Sequence, residues 1–273
     1  MHLTTIRTET GTAVARRDGD RLVALPFESM TALLRQPDWR GAAGVDGASI
    51  LLEDAALAPT VNPGKTICVG LNYRSHILET GRPTPSHPTL FAKFAESLTG
   101  PDATIRLPTQ SDEVDWEVEL GVVIGAPAYQ VTEAEAKAFV AGYTVVNDIS
   151  MRDWQARTTQ WLQGKNFESS TPVGPYLVTP EEIDHANDLR ISCTVDGAVM
   201  QDGRTSDLLF GPAALVSYVS QFITLMPGDL IATGTPGGVG NGRSPKKFLR
   251  AGEVLHSEIE GIGRLTNRIA PAV

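Results

Sequence analysis

Two glutamates spaced two apart, Glu117 and Glu119, have the types and spacing for metal chemistry. The even positions from Trp116 to Ile124 are apolar, a period of two that predicts a strand with one face in a core and both carboxylates on the other face. At about 4 Å two carboxylates repel by roughly 4 kcal/mol near a protein surface, so a site that holds them together supplies a cation or a proton. A hard metal ion is the simplest such cation. Taken alone, the pair also fits a solvent-facing strand surface.

A histidine and a glutamate, His76 and Glu79, lie three residues apart just after an apolar segment, 67–73, that predicts a buried strand. In the first turn of a helix this spacing puts both side chains on one face, where Glu79 orients the imidazole and raises its basicity. An ordinary surface ion pair is the alternative. The proline-rich segment 81–88 then predicts an exposed loop with the character of a lid beside the pair.

Three more charged residues lie in or near predicted strands. Asp148 ends a predicted strand over 142–148, a place where scaffolds present reactive groups. Lys165 follows a glycine in a run that is too polar for a core. Lys93 lies in a short predicted strand, where it is either an edge lysine with its charge satisfied or a group that points into a site, and we prefer the first interpretation.

The remaining elements are mostly short strands joined by turns. Residues 1–25 predict a small antiparallel meander with a hairpin at Asp18-Gly19, followed by a short helix near 29–34. Prolines at positions 59 and 63 place a boundary near residue 60, which predicts a small N-terminal domain, 1–60, and a catalytic domain, 61–273.

Clear local signals mark four elements in the second half of the chain. They are a capping box at Thr132–Glu135, a hairpin over 190–201, a helix over 211–225 and a strand–turn–strand over 253–269. The glycine run that ends at Gly242 lacks the frame of a nucleotide-binding loop, since an arginine stands where a phosphate loop needs lysine. Its backbone amides beside Thr233 and Thr235 are candidates to bind a small carboxylate.

The composition excludes several classes of function. The chain has 273 residues, 41% of them apolar and 20% charged, and no apolar run approaches a membrane span, which is typical of a globular protein. A formal charge of −9 disfavours nucleic-acid binding. Cys68 and Cys193 lie in apolar segments and predict buried fillers. The N-terminus lacks the pattern of a signal peptide, so we expect a cytoplasmic protein.

Residues 65–270 resemble the fumarylacetoacetate hydrolase superfamily through five segments in the family's order. These segments are 69–76 with Glu79, 115–121, 147–153, 164–167 and 233–240. The resemblance implies an α+β fold that is mainly β, a mixed β-sandwich roll with a small N-terminal β-rich domain, assembled as a homodimer.

The resemblance also implies Mg²⁺ or Mn²⁺ bound by Glu117, Glu119 and Asp148. The residues agree, because three carboxylates without a cysteine or a paired histidine form an oxygen site suited to magnesium, manganese or calcium. The family pattern further implies these roles: His76, oriented by Glu79, as the base, Lys165 and Gln155 as stabilisers of an oxyanion, and Thr235 as a ligand of the substrate carboxylate.

The activity expected from the resemblance is hydrolysis of a carbon–carbon bond in a 2,4-dioxo acid, of acylpyruvate or fumarylpyruvate type, through a metal-bound enolate. Because His76 and Glu79 are both present, reactions that need an activated water or a proton shuttle are favoured. The alternatives are decarboxylation or isomerisation of a related 2-oxo diacid at the same site, and a non-catalytic protein that binds an oxo acid.

Overall fold

A computed structural model describes residues 1–272, which form eighteen strands and seven α-helices together with short 3-10 turns. The strands are β1 (His2–Thr8), β2 (Gly11–Asp18), β3 (Arg21–Ala24), β4 (Ser49–Leu51), β5 (Thr66–Gly70), β6 (Thr89–Lys93), β7 (Leu98–Thr99), β8 (Ile105–Arg106), β9 (Val114–Asp115), β10 (Val118–Ile124), β11 (Val140–Asn147), β12 (Ser150–Met151), β13 (Thr171–Val178), β14 (Arg190–Val195), β15 (Ala198–Arg204), β16 (Leu230–Ala232), β17 (Val254–Ile259) and β18 (Gly263–Ala270). The helices are α1 (Met30–Leu34), α2 (Trp39–Ala43), α3 (Arg74–Thr80), α4 (Glu133–Ala136), α5 (Arg152–Gln155), α6 (Leu162–Lys165) and α7 (Pro212–Ser220).

The strands form three sheets, so the expected mainly β fold is confirmed. The largest sheet has eleven strands in the order β4-β3-β2-β1-β13-β11-β10-β16-β5-β6, with β7 paired to β13. A five-stranded sheet has the order β15-β14-β17-β18-β8, and β9 pairs with β12 alone. Strand β10 lies inside the large sheet, antiparallel to both β11 and β16.

Strand β10 is buried on both faces. Val118, Leu120 and Val122 contribute to a core that also contains residues of the five-stranded sheet. Val123 points the other way, into a second core that includes residues of α1 and α2. Glu119 lies on this second face and is itself buried, so the alternative of a solvent-facing glutamate pair is wrong. Its cause is the position of β10, whose two neighbouring strands and two packed layers exclude water.

The N-terminal segment forms the predicted meander. Strands β1, β2 and β3 pair in sequence, and Asp18 pairs with Arg21 across a turn that contains Gly19 at φ 61°. The predicted short helix is α1, capped by the side chain of Ser29. Strand β1 pairs with β13, so this segment extends the large sheet. The domain boundary at residue 60 stays a prediction.

Most of the other predicted elements are also present. The capping box at Thr132 is formed, and the hairpin of β14 and β15 is in place. Helix α7 ends at Ser220, five residues before the predicted end, because Leu225 makes a strand-like bridge with Ala128 and the chain must be extended there. Both cysteines are free and buried, as expected. No helix among the described residues is long and apolar enough to cross a membrane.

Candidate metal centre and its cavity

Three carboxylates meet at the start of β10. One oxygen atom each of Glu117, Glu119 and Asp148 lies within 4.8 Å of the others, and all three residues are buried. The antiparallel register causes this convergence, because Val118 at the start of β10 pairs with Asn147 at the end of β11. The amide of Asp148 donates to the carbonyl oxygen of Glu117 over 2.9 Å, which fixes the two ligand-bearing segments together. The three acids predicted to bind a metal are therefore brought together.

Three buried cations contact these carboxylates. The Nζ atom of Lys165 donates to Oε2 of Glu117 at 2.6 Å and to Oδ2 of Asp148 at 2.8 Å. The Nζ atom of Lys93 donates to the other oxygen of Asp148 at 2.6 Å. Nη2 of Arg152 forms an ion pair with Oε1 of Glu117 at 2.6 Å. Each oxygen of Glu117 and Asp148 thus faces a positive charge.

Glu119 differs from the other two acids. Its Oε2 accepts a hydrogen bond from the amide of Gly234 at 2.9 Å, and no cation of the described residues forms an ion pair with it. Burial and the negative charges of Asp148 and Glu117 raise the pKa of Glu119 well above its ordinary value. Burial also opposes ionisation of Glu117, yet Lys165 and Arg152 outweigh it and lower the pKa of Glu117 to about 2. The difference follows from where the cations lie.

This donor set fits a hard divalent cation. Three oxygen ligands from carboxylates are typical of magnesium and manganese sites, which complete their coordination with water and substrate. The mutual repulsion that raises the pKa of Glu119 is the repulsion that a bound cation would relieve. Glu117, Glu119 and Asp148 are accordingly the residues that would hold the metal.

His76 and Glu79 form the expected pair on α3. Nδ1 of His76 lies 2.9 Å from Oε2 of Glu79. The carboxylate of Glu79 also accepts the amide of Gly238, at 3.0 Å and 3.2 Å to its two oxygens. With Nδ1 held in this way, the other ring nitrogen of His76 is the one available to a ligand, and His76 lines the same cavity as Glu117 and Glu119.

The glycine-rich loop after β16 binds carboxylates of the protein itself. Besides the amides on Glu119 and Glu79, those of Gly240 and Asn241 donate to Asp115 at 2.7 Å and 2.9 Å. The amide of Gly234, between Thr233 and Thr235, is therefore already used, and the expected carboxylate site is not available at this amide. The loop fixes three acids of the site in place.

The cavity above the carboxylates has a volume of about 670 Å³. Its lining includes Lys165, Gln155 and Thr235, three residues given substrate roles by the sequence. Gln155 accepts a hydrogen bond from Arg152 through its carbonyl oxygen at 2.9 Å, which leaves its amide group for a ligand. The Thr235 hydroxyl donates to the carbonyl of Val118 at 2.8 Å, so its role in carboxylate binding stays a prediction.

Two residues of the site, Arg152 and Asp115, received no role from the sequence. Nε of Arg152 donates to Oδ2 of Asp115 at 2.8 Å, and the same guanidinium group contacts Glu117. Both residues stood inside segments that carry the family resemblance, which was the available signal. Lys93 was interpreted as a satisfied edge lysine; it does lie on an edge strand, but its side chain is fully buried and points at Asp148.

Comparisons with known proteins agree with this geometry. Residues 65–270 match the family described as "Fumarylacetoacetate (FAA) hydrolase C-terminal". The chain is 47% identical over 215 residues to "Oxaloacetate tautomerase FAHD2A, mitochondrial" of Homo sapiens, covering 78% of this chain and 68% of that protein.

Two solved structures with the same fold extend the comparison. The 5-carboxymethyl-2-hydroxymuconate delta-isomerase of Mycobacterium smegmatis is 33% identical, with a TM-score of 0.84 over 99% of this chain and 100% of that one. The fumarylacetoacetate hydrolase of Exiguobacterium antarcticum is 30% identical, with a TM-score of 0.89 over 99% of each chain. Similar chains thus carry the names of a tautomerase, an isomerase and a hydrolase.

Proposed function

This chain belongs to the fumarylacetoacetate hydrolase family, and from that premise we propose that it is a metal-dependent tautomerase that interconverts the enol and keto forms of oxaloacetate or a similar 2-oxo diacid. The observation that carries the proposal is the position of the His76–Glu79 pair on the same cavity as the three carboxylates, in a chain 47% identical to an oxaloacetate tautomerase. Enzymes of this family act on closely related acids, so the named relatives support a reaction class rather than one substrate.

The reaction moves one proton between the C2 oxygen and C3 of the acid. In the enol-to-keto direction the hydroxyl proton leaves the oxygen, and C3 gains a proton. His76 is suited to carry it, because Glu79 holds one ring nitrogen and leaves the other toward the cavity. A positioned acid–base group of this kind contributes between about a hundredfold and ten-thousandfold in rate. A divalent cation bound by the three carboxylates would polarise the C2 oxygen as a Lewis acid.

Lys165 and Gln155 stabilise the negative charge that develops on that oxygen. Burial disfavours the charged lysine, but Asp148 and Glu117 more than compensate and raise the pKa of Lys165 above its ordinary value. Lys165 therefore acts as a fixed positive charge and a donor rather than as a base. Gln155 contributes amide donors from the neighbouring wall of the cavity.

Two further cations suit the second carboxylate of a diacid. Arg82 and Lys246 line the cavity, and neither forms an ion pair with an acid among residues 1–272. The other two cationic residues of the lining, Arg152 and Lys165, are already neutralised by carboxylates. Glu113 also lines the cavity, which favours a ligand with one end bound at the metal and the other near Arg82 or Lys246.

The direct test follows decay of the enol form. Purified protein loaded with Mg²⁺ is mixed with freshly dissolved enol-oxaloacetate, and loss of the enol absorbance is recorded. We expect acceleration over the buffer rate, its loss on chelation, and its loss in His76→Ala with metal binding retained. Wild-type rates in His76→Ala would exclude His76 as the proton carrier, and rates equal to buffer in the loaded wild type would exclude the activity.

Carbon–carbon bond hydrolysis of a 2,4-dioxo acid, the activity expected first, is the second candidate. The supporting observation is again the His76–Glu79 pair, which can take a proton from a water molecule as well as from a substrate. Acetylpyruvate separates the two candidates, since hydrolysis yields acetate and pyruvate by mass detection. Decarboxylation would release CO₂, and tautomerisation leaves the mass unchanged. A non-catalytic homologue would bind these acids and yield none of the products.

The assembly and location of the protein remain proposals. We infer a homodimer from the family resemblance, to be tested by light scattering of the purified chain. The cytoplasmic location expected from the sequence is also a proposal, while the Homo sapiens relative is mitochondrial by name. Fractionation of cells that make the protein would locate it.

A further inference from the structure

We propose that Lys93 is a positioning residue that acts through Asp148 and lowers the affinity of the carboxylate centre for a divalent cation. The proposal goes beyond the tautomerase activity and rests only on the metal centre that this activity uses. Lys93 is the last residue of β6, the edge strand of the large sheet. Its side chain is fully buried, and among the described residues the only side-chain partner of its Nζ atom is Asp148, at 2.6 Å.

Lys93 is placed behind the metal centre. It is absent from the lining of the cavity, whereas Lys165 and Phe91 belong to that lining. Asp148 is itself fully buried, so its carboxylate receives Lys93 on one oxygen and Lys165 on the other. A substrate in the cavity meets Lys165 and does not meet Lys93. Lys93 can influence the reaction only through the position and charge of Asp148.

The charges of the buried cluster show what Lys93 does there. Four acids face three cations, which leaves one net negative charge. The acids are Asp115, Glu117, Glu119 and Asp148, and the cations are Lys93, Arg152 and Lys165. A divalent cation then brings the cluster to one net positive charge, which suits an acid substrate. Without Lys93 the empty cluster would carry two negative charges and attract the metal more strongly.

The same arrangement links the metal to the substrate. With Lys93 in place, a bound cation leaves an excess of positive charge in a water-poor site, and an anionic ligand relieves it. An anion and the metal should therefore bind more tightly together than separately. If Lys93 is neutral, the loaded centre has no net charge, and this mutual enhancement should be smaller.

Calorimetric titration of chelator-treated protein with MgCl₂ tests the proposal without measuring activity. In Lys93→Met we expect Mg²⁺ to bind at least about tenfold more tightly than in the wild type, because one unit of positive charge near the ion is removed. Lys93→Arg, which keeps the charge, should remain within about threefold of the wild type. The exposed Lys137→Met is the matched control and should bind Mg²⁺ like the wild type.

Oxalate serves as the probe for the link between anion and metal. It should tighten Mg²⁺ binding in the wild type and in Lys93→Arg, and do so less in Lys93→Met. Equal or weaker Mg²⁺ binding in Lys93→Met would overturn the proposal. A Lys93→Met chain that folds only when Mg²⁺ is present supports it, since the metal then replaces the missing charge, and one that folds under neither condition overturns it.

The outcome is separate from the proposed activity. If wild-type protein binds Mg²⁺ and the affinity rises in Lys93→Met, the inference about Lys93 stands even when no tautomerase activity is found. If the wild type binds no Mg²⁺, both the metal-dependent activity and this inference fail together at that first titration.

Discussion

Nζ of Lys165 lies 2.6 Å from Oε2 of Glu117, and the same ammonium group reaches Asp148 at 2.8 Å. One buried lysine thus bridges two of the three carboxylates and also lines the cavity above them. The cation that stabilises the centre is therefore the cation that a substrate oxygen would meet.

Replacing Lys165 should affect the chemical step more than binding. In Lys165→Met we expect kcat for enol-oxaloacetate to fall by about a hundredfold to a thousandfold, the usual effect of removing one oxyanion donor. Steady-state kinetics at saturating Mg²⁺ would measure it, with Lys137→Met as the control. A fall in activity confined to KM would contradict the assigned role.

Glu79 should matter for turnover although it lies behind the histidine. Glu79→Gln keeps the size of the side chain and removes the charge that orients His76, so we expect kcat to fall by about tenfold to a hundredfold with little change in KM. The exposed Glu133→Gln, on the short helix α4, is the control. Unchanged kcat in Glu79→Gln would exclude the orienting role.

Glu119 should make the metal-free protein less stable at higher pH. Its pKa is raised in the folded state, so its contribution to stability is complete below the unfolded value of about 4.5 and is lost as pH rises through the folded pKa. Urea unfolding in chelator, from pH 5 to pH 8, should show the wild type losing more than about 1.4 kcal/mol relative to Glu119→Gln, the equivalent of one pKa unit.

Mg²⁺ should reverse that difference at pH 8. The wild type should gain stability when the ion is added, and Glu119→Gln should gain much less because one ligand charge is missing. Parallel pH dependence of the two proteins in chelator would show that Glu119 is not the destabilising group.

Arg82 and Lys246 should select for a second carboxylate. In Arg82→Gln and in Lys246→Gln we expect KM for oxaloacetate to rise by about tenfold, the usual scale of one charge-assisted contact, with kcat nearly unchanged. KM for a monocarboxylic 2-oxo acid that is turned over should stay the same. Arg35→Gln, at another exposed arginine, is the control. Equal effects on both substrates would exclude this selectivity.

Gly238 should tolerate no side chain. Its φ is +101°, and a Cβ atom there would lie 2.1 Å from the carbonyl oxygen of Met200. Gly252 has a similar φ of +96° with open space around it, so Gly252→Ala isolates the backbone strain. We expect Gly252→Ala to cost about 1 kcal/mol and Gly238→Ala at least about 2 kcal/mol more, by chemical unfolding. Equal costs would show that the contact with Met200 relaxes.

Local spacing predicted the parts of the site that depend on one element. The three-residue spacing of His76 and Glu79 was sufficient because a helix turn brings such residues together. The period of two placed Glu117 and Glu119 on one side of the chain in the same way. The hairpins and the capping box were also predictable, since turn and cap residues act over four or five positions.

The convergence of separate segments was not encoded in spacing. Asp148 joins the glutamates through the register of β10 and β11, and only the family resemblance supplied that link. Lys93 and Arg152 show the same limit more clearly. A lysine on an edge strand is usually solvated, and what buries this one is an aspartate 55 positions away across the sheet. The glycine run was interpreted through ligands, while its amides serve acids of the protein itself.

Glu79 is held at two places at once, by His76 on its own helix and by the amide of Gly238 on the glycine-rich loop. Any movement that widens the cavity by separating α3 from this loop must break one of these contacts. Entry of a ligand from that side and disarming of the imidazole are then a single event, so the proton carrier is competent only while the cavity is shut on that side.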